Sequence, residues 1–267
     1  MELRIPELGR TLVSEYAHQS VEIEHNPIKA GESQIIFDMV DKEVLTPKPF
    51  TNYSTQELTT IPLPQYHSST NHSAVVELMN HIIASHWIAT NAVTYPGTTG
   101  LGESDMKELA KLTIQGTDAE ALYTYSWGGR TALGEYRKRP MQAASNLLRI
   151  FPYHDEVPAC MRRFFMWRDS RHYGSRVHPL IHACHTIVYF LHIHPFPDGN
   201  GRVARMLMHD YLLRQGFLPV VMQDLERKDY LRMISDSQDG EPAEFVLRVL
   251  QTQLEQLKTF YARQKME

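Results

Sequence analysis

Apolar residues recur at helical spacing along most of this chain. Residues 7–24 set Leu8, Leu12, Val13, Tyr16 and Ala17 among polar positions, and Asn26-Pro27 stops the pattern. From residue 26 to about 71 the chain turns polar and irregular, punctuated by Pro47, Pro49, Pro62 and Pro64. That stretch is expected to link or wrap more than it packs. Helical patterns resume at 74–90, at 104–115 with Ser104 as the cap, and at 156–169, where Met161, Phe164, Phe165 and Trp167 form a core face. Residues 179–193 follow, then a helix opening near residue 200 and reaching about 215, then 228–237 and a long last helix over 242–263. The reading is of a mostly helical chain with no tandem repeat.

Two of these helices are separated by the run His194, Pro195, Phe196, Pro197, Asp198, Gly199, Asn200, Gly201, Arg202, Val203, Ala204, Arg205. The apolar stretch 181–193 breaks at the prolines, and Val203, Met206, Leu207, Tyr211 and Leu212 begin a new helical pattern directly after the glycines. A helix start presents unpaired N–H groups, and glycines let an anion approach without a Cβ in the way. Arg202 and Arg205, three apart in the first turn, can converge on a polyphosphate with fork-like hydrogen bonds. Asp198 is the nearby carboxylate suited to a divalent cation bridging phosphates. His194 is the group in the run suited to proton transfer near neutral pH. Taken singly, a histidine before proline is usually a surface residue and Gly-Asn-Gly usually only a turn. Their conjunction at one loop–helix junction points to a site for a phosphate-bearing ligand.

The run matches every fixed position of the signature His-x-Phe-x-Asp/Glu-Gly-Asn-Gly-Arg-x-x-Arg and so resembles the Fic (filamentation induced by cAMP) family, with similarity from about Ser104 to about Leu250. The resemblance implies an all-α Fic fold, a helical bundle with a small β-hairpin flap, and protein adenylyltransferase activity that moves AMP from Mg-ATP to a Ser, Thr or Tyr hydroxyl. His194 would be the general base, Asp198 the Mg²⁺ ligand (Mn²⁺ being an alternative), Gly199, Asn200, Gly201 and Arg202 the phosphate cradle, and Arg205 the γ-phosphate ligand. Phe196 reads as a core anchor, since its ring has nothing to donate to phosphate.

In relatives a helix ending Ser/Thr-x-x-x-Glu-Gly/Asn is autoinhibitory, and Ser20 with Glu24 resembles its N-terminal version, Glu24 being expected to pair with Arg205. His25 departs from the expected Gly or Asn, with Asn26 one place late. Without the resemblance, Ser20 and Glu24 read as solvated helix residues. Residues 134–143 resemble the flap that pins a target strand, with Met141 and Gln142 beside the nucleotide and the target held partly through Arg139, Pro140, Met141, Gln142 and Ala143. A basic surface loop is the alternative reading. Tyr230, and less closely Gln238, fall where relatives border the adenine, although a plain packing tyrosine fits there equally. The implied organisation is an inhibitory helix at 1–30, a linker and accessory helical region at 31–103, the Fic core at 104–251 and a C-terminal helix extension at 252–267.

His178, His182 and His185 share one helix face, but three ligands from one straight helix rarely enclose a metal, and a structural role is preferred. At 267 residues and 42% hydrophobic content the chain is ample for one core, and its charge of −4 argues against a general nucleic-acid binder. The two cysteines, Cys160 and Cys184, favour a reducing compartment, and no stretch approaches the about 18 apolar residues of a membrane span. The expected partners are therefore ATP, a hydroxyl-bearing target and a second copy in a homodimer, without nucleic acid or membrane, in the cytoplasm. Two alternatives stay open. One is deAMPylation, which would require Glu24 where transfer is restrained by it; the other is a non-catalytic nucleotide-binding scaffold, for which His194 is superfluous.

Overall fold

The helix α4 (His72–Thr94) is apolar on nearly every face, so it can satisfy its side chains only by being surrounded. Asn71 caps it, its side chain accepting from the Ser73 N–H at 2.8 Å. In the computed structural model, which describes residues 5–47, 50, 53–66, 71–124, 129–141, 149–174, 176–222 and 225–264, α4 is indeed central. Packed on it are α1 (Ile5–Glu22), α2 (Ala30–Val40), α5 (Glu103–Ile114) and α8 (Asn200–Arg214). The helix α7 (Pro179–Ile193) joins α8 to α6 (Val157–Gly174), to α9 (Arg227–Gln238) and to the long α10 (Ala243–Gln264). A short α3 (Thr55–Leu58) rests on α5. The fold is a helical bundle, and its core runs from Val21 and Ile28 through Leu78, Ile82 and Phe164 to Ile187, Leu212 and Phe245.

Two expectations are corrected. The stretch 26–71 is not merely irregular: it carries α2, a π-helical turn over Asp41–Leu45, and α3. Ser33, Ile36 and Val40 are buried one to two turns apart, a helical signal overshadowed by the prolines further on. The cap of α5 is Gly102, so Ser104 lies inside the helix. Of the flap expected at 134–143, the structure describes residues 134–141. That segment runs as turns and bends, and among the described residues β pairing is limited to an isolated antiparallel bridge, Thr124 with Arg130. Gly134 sits at φ +81, where a Cβ would press on the Lys107 carbonyl. Gln142 and Ala143 lie outside the described residues.

Among the described residues, no helix is long and apolar enough to cross a membrane.

Candidate active site

The loop between α7 and α8 is bracketed by two left-handed residues, His194 at φ 53 and Gly199 at φ 82. A histidine in that region is disfavoured, so the surroundings must hold it there. Asn200 turns its amide back on the loop, accepting from the Phe196 N–H at 2.9 Å and donating to the Phe196 carbonyl at 2.8 Å. Phe196 itself is fully buried, against Tyr136 and Phe190. The Tyr123 hydroxyl donates to the Asp198 carbonyl at 3.0 Å. Arg137 is buried and donates from Nε to the His194 carbonyl at 2.8 Å and to the carbonyls of Arg139 and Pro152, while its own N–H bonds the Pro195 carbonyl. The loop backbone is thus gripped by side chains from two outside segments and from the helix it opens.

His194 is half-buried, and its ring stacks on Phe151 at 4.4 Å between centroids. Burial lowers its pKa from 6.5 to about 4, so the imidazole is neutral at physiological pH. Its Nδ1 lies 3.4 Å from the Leu191 carbonyl, and donation there leaves Nε2 as the basic nitrogen. Beside His194 opens a cavity of about 470 Å³, within the size range of ligand sites, walled by Phe151, Leu191 and the α9 residues Leu231, Ser235 and Gln238. Tyr230 is not on that wall. It is buried beneath Arg205, whose guanidinium stands 5.7 Å from its ring centre, and it borders a separate small enclosed space of about 20 Å³ with Tyr16, Gln19 and His209. Met141 does not line the cavity either.

The first N–H groups of α8 have no partner within the helix, and two nearly buried arginines flank them. Arg202 donates from Nη2 to Asp198 at 3.0 Å and from Nη1 to Glu77 of α4 and the Thr113 carbonyl. Arg205 is met from α1: its Nε donates to the Ser20 hydroxyl at 2.8 Å, and its Nη2 to the Ser20 carbonyl at 2.6 Å and to Glu24 Oε1 at 2.9 Å. Glu24 Oε2 accepts from Arg227 Nη1 at 2.6 Å. Burial alone would raise the Glu24 carboxyl, but Arg205, and then Arg227, outweigh it and hold it at about 2. A Cβ on Gly201 would collide with Glu24 Oε1, so this position must be glycine for the carboxylate to sit there.

Glu24 is presented by a Schellman turn. The Asn26 N–H reaches the Val21 carbonyl and the His25 N–H the Glu22 carbonyl, with His25 at φ 68 taking the left-handed position usually given to glycine. Asn26 then ties the turn down, donating to the Ala74 carbonyl and to Glu77. Sequence reasoning missed Arg227, Glu77 and Arg137. The run 135–139, which set Arg137 among exposed-looking charges, gave no sign of its burial. Asp198 keeps a side chain 38% exposed, a hard oxygen donor fit for Mg²⁺. Among the described residues no three His, Cys, Asp or Glu side chains cluster to hold a metal, so a cation there would complete its shell with phosphate oxygens and water. His178 instead caps α7, accepting from the Leu180 N–H, and His182 is buried against the Arg168 carbonyl.

Residues 100–212 match the Fic/DOC family. The chain is 33% identical over 113 residues to "Protein adenylyltransferase Fic" of Drosophila persimilis and 34% identical to that of Drosophila melanogaster, in each case over 42% of this chain. The chain spans only 22% of the length of those relatives. Its fold is shared with a Fic domain containing signaling protein from Bacteroides thetaiotaomicron (TM-score 0.64, 20% identity, covering 96% of this chain and 84% of the other). It is also shared with Fic-1 from C. elegans (TM-score 0.67, 15% identity, covering 98% and 66%).

Proposed function

Because the chain is a Fic domain protein, we propose that it transfers AMP from Mg-ATP to a Ser, Thr or Tyr hydroxyl of a target protein and is restrained by its own Glu24. The observation that carries this reading is the Glu24 carboxylate lodged on Arg205 at the start of α8, one helical turn from the cradle glycines. An anion-type site occupied by an internal carboxylate fits a phosphate site held closed.

His194 takes the proton of the target hydroxyl through Nε2. The hydroxyl oxygen attacks the α-phosphorus, the bond from that phosphorus to the oxygen bridging the β-phosphate breaks, and pyrophosphate leaves. The low pKa of His194 keeps it unprotonated and ready to accept, at the expense of weaker basicity. Arg202, Gly201 and the unpaired N–H groups of α8 would receive the phosphate oxygens, and Arg205 the terminal ones once Glu24 has left. Mg²⁺, held by Asp198, would neutralise charge on the phosphates when bound. Asn200 shapes the loop with its side chain and would contribute to the cradle through its backbone. The adenine end would extend into the cavity beside His194, with Gln238 on its wall. The stretch 139–143 is where the target backbone would be held.

Protein extract incubated with the Glu24→Gly variant and ATP labelled at either the α- or the γ-phosphate tests the reading. Label should enter protein from α-labelled ATP alone. Incorporation from the γ-label instead would replace adenylyl transfer with phosphoryl transfer.

A further inference from the structure

The two oxygens of Glu24 are divided between arginines from different helices. Oε1 meets Arg205 of α8 at 2.9 Å, and Oε2 meets Arg227, the first residue of α9, at 2.6 Å. The two arginines differ in how they are held. Arg205 has 8% of its side chain exposed and is fixed by Ser20 and by the Tyr230 ring. Arg227 is 30% exposed, and apart from Glu24 its Nη1 bonds the Ile23 carbonyl, which belongs to the same turn as Glu24. The neighbouring Glu226 pairs with Lys228 at 2.7 Å. When the α1 turn lifts, Arg227 therefore loses both of these partners at once, and Arg205 loses its carboxylate and both its Ser20 bonds together.

We propose that Arg227 is a second ligand of the nucleotide's terminal phosphate beside Arg205, receiving a phosphate oxygen where it now holds Glu24 Oε2, so that Arg227 sets the preference for a triphosphate over a diphosphate. This rests on the adenylyl-transfer reading. A phosphate offers pairs of oxygens at a spacing close to that of a carboxylate, which is why guanidinium groups receive both in the same way. Departure of Glu24 removes one negative charge from between two cations, one of them with almost no access to water. A buried cation left without a partner is strongly unfavourable, and a dianionic phosphate group answers both arginines at once. Gly201 supports the same geometry, since the absence of its Cβ opens the space where Glu24 Oε1 lies. A diphosphate, filling only the positions nearer Arg202 and the α8 N-terminus, would leave the place between the two arginines empty.

Calorimetric titration of Mg-ATP and Mg-ADP into Glu24→Gly and into Glu24→Gly/Arg227→Ala tests the proposal, with thermal melts confirming that both fold. The Glu24→Gly protein should prefer ATP. Adding Arg227→Ala should weaken ATP on the order of 10- to 100-fold, the worth of a charge-assisted hydrogen bond, and change ADP by no more than about twofold. If Arg227→Ala does not fold, Arg227→Gln serves in its place with the same expectation. An ATP/ADP ratio that survives the loss of Arg227 would overturn the proposal and leave Arg227 as a latch for Glu24, with adenylyl transfer standing. A Glu24→Gly protein that binds neither nucleotide would remove the adenylyl-transfer reading and this inference with it.

Discussion

Replacing Glu24 by glutamine keeps the shape of the side chain and removes its charge. In the native protein both oxygens accept from guanidinium groups, so an amide can satisfy one arginine and must turn its NH₂ toward the other. The carboxyl sits at about 2 against an ordinary 4.5, because Arg205 and Arg227 outweigh the desolvation that would raise it. At about 1.4 kcal/mol per pKa unit this corresponds to roughly 3 kcal/mol favouring the ionised form in the docked state. With 24% of the side chain exposed, screening trims that to about 2–3 kcal/mol. Docking of the Glu24 turn should then weaken by a factor on the order of 10². The assay is self-modification with α-labelled ATP, comparing wild type, Glu24→Gln and Glu24→Gly. Glu24→Gln should recover most of the activity of Glu24→Gly. Restraint within about twofold of wild type would refute the electrostatic account and assign the block to the bulk of the turn. The depressed carboxyl also fixes a pH window: its contribution is fully present above about 4.5 and is lost as pH falls toward 2, so the restraint should not vary between pH 5 and 8.

Arg137→Ala withdraws three side-chain donors from buried carbonyls around the His194 loop, and should cost about 2–4 kcal/mol of stability and lower the transfer rate. Unchanged melting and turnover would show that the loop holds itself. His81, His182, His194 and His209 are all lowered by burial, the last three to about 4, about 4 and about 3. The unfolded chain therefore binds more protons than the folded one below about pH 6.5, and the melting temperature should fall steadily from pH 6.5 toward 4. A flat profile over that range would mean these rings take up protons in the folded state.

The His194–Arg205 run was legible because its residues are contiguous and the loop they build is local: two left-handed residues, an amide folded back, and a helix start. The Glu24–Arg205 contact spans 181 positions, and only the resemblance to a known pattern joined the two. His25 stands where that pattern has Gly or Asn, and it occupies the left-handed position of the Schellman turn, a conformation that histidine tolerates when the turn is held on both sides. Glu77, Arg137 and Arg227 are single charged residues whose partners lie on other elements, and neither periodicity nor local spacing marks such residues. The helix α2 was hidden because Ile35, Ile36 and Phe37 form a short apolar run whose period is ambiguous, next to a proline-rich stretch. Position along the chain leaves Tyr230 open between an adenine neighbour and a packing residue; helical phase sets it beneath Arg205 and leaves Leu231, Ser235 and Gln238 toward the cavity.

Intact-mass measurement of the Glu24→Gly and Glu24→Gly/His194→Ala proteins after incubation with Mg-ATP tests the central claim most directly. Loss of a general base lowers rates by roughly 10²- to 10⁴-fold while leaving the nucleotide's contacts in place. Glu24→Gly should gain the mass of one or more AMP groups, and the double variant should gain none in the same time while binding ATP as tightly. Equal AMP addition by both proteins would contradict the assignment of His194 as the base that delivers the hydroxyl to the α-phosphate.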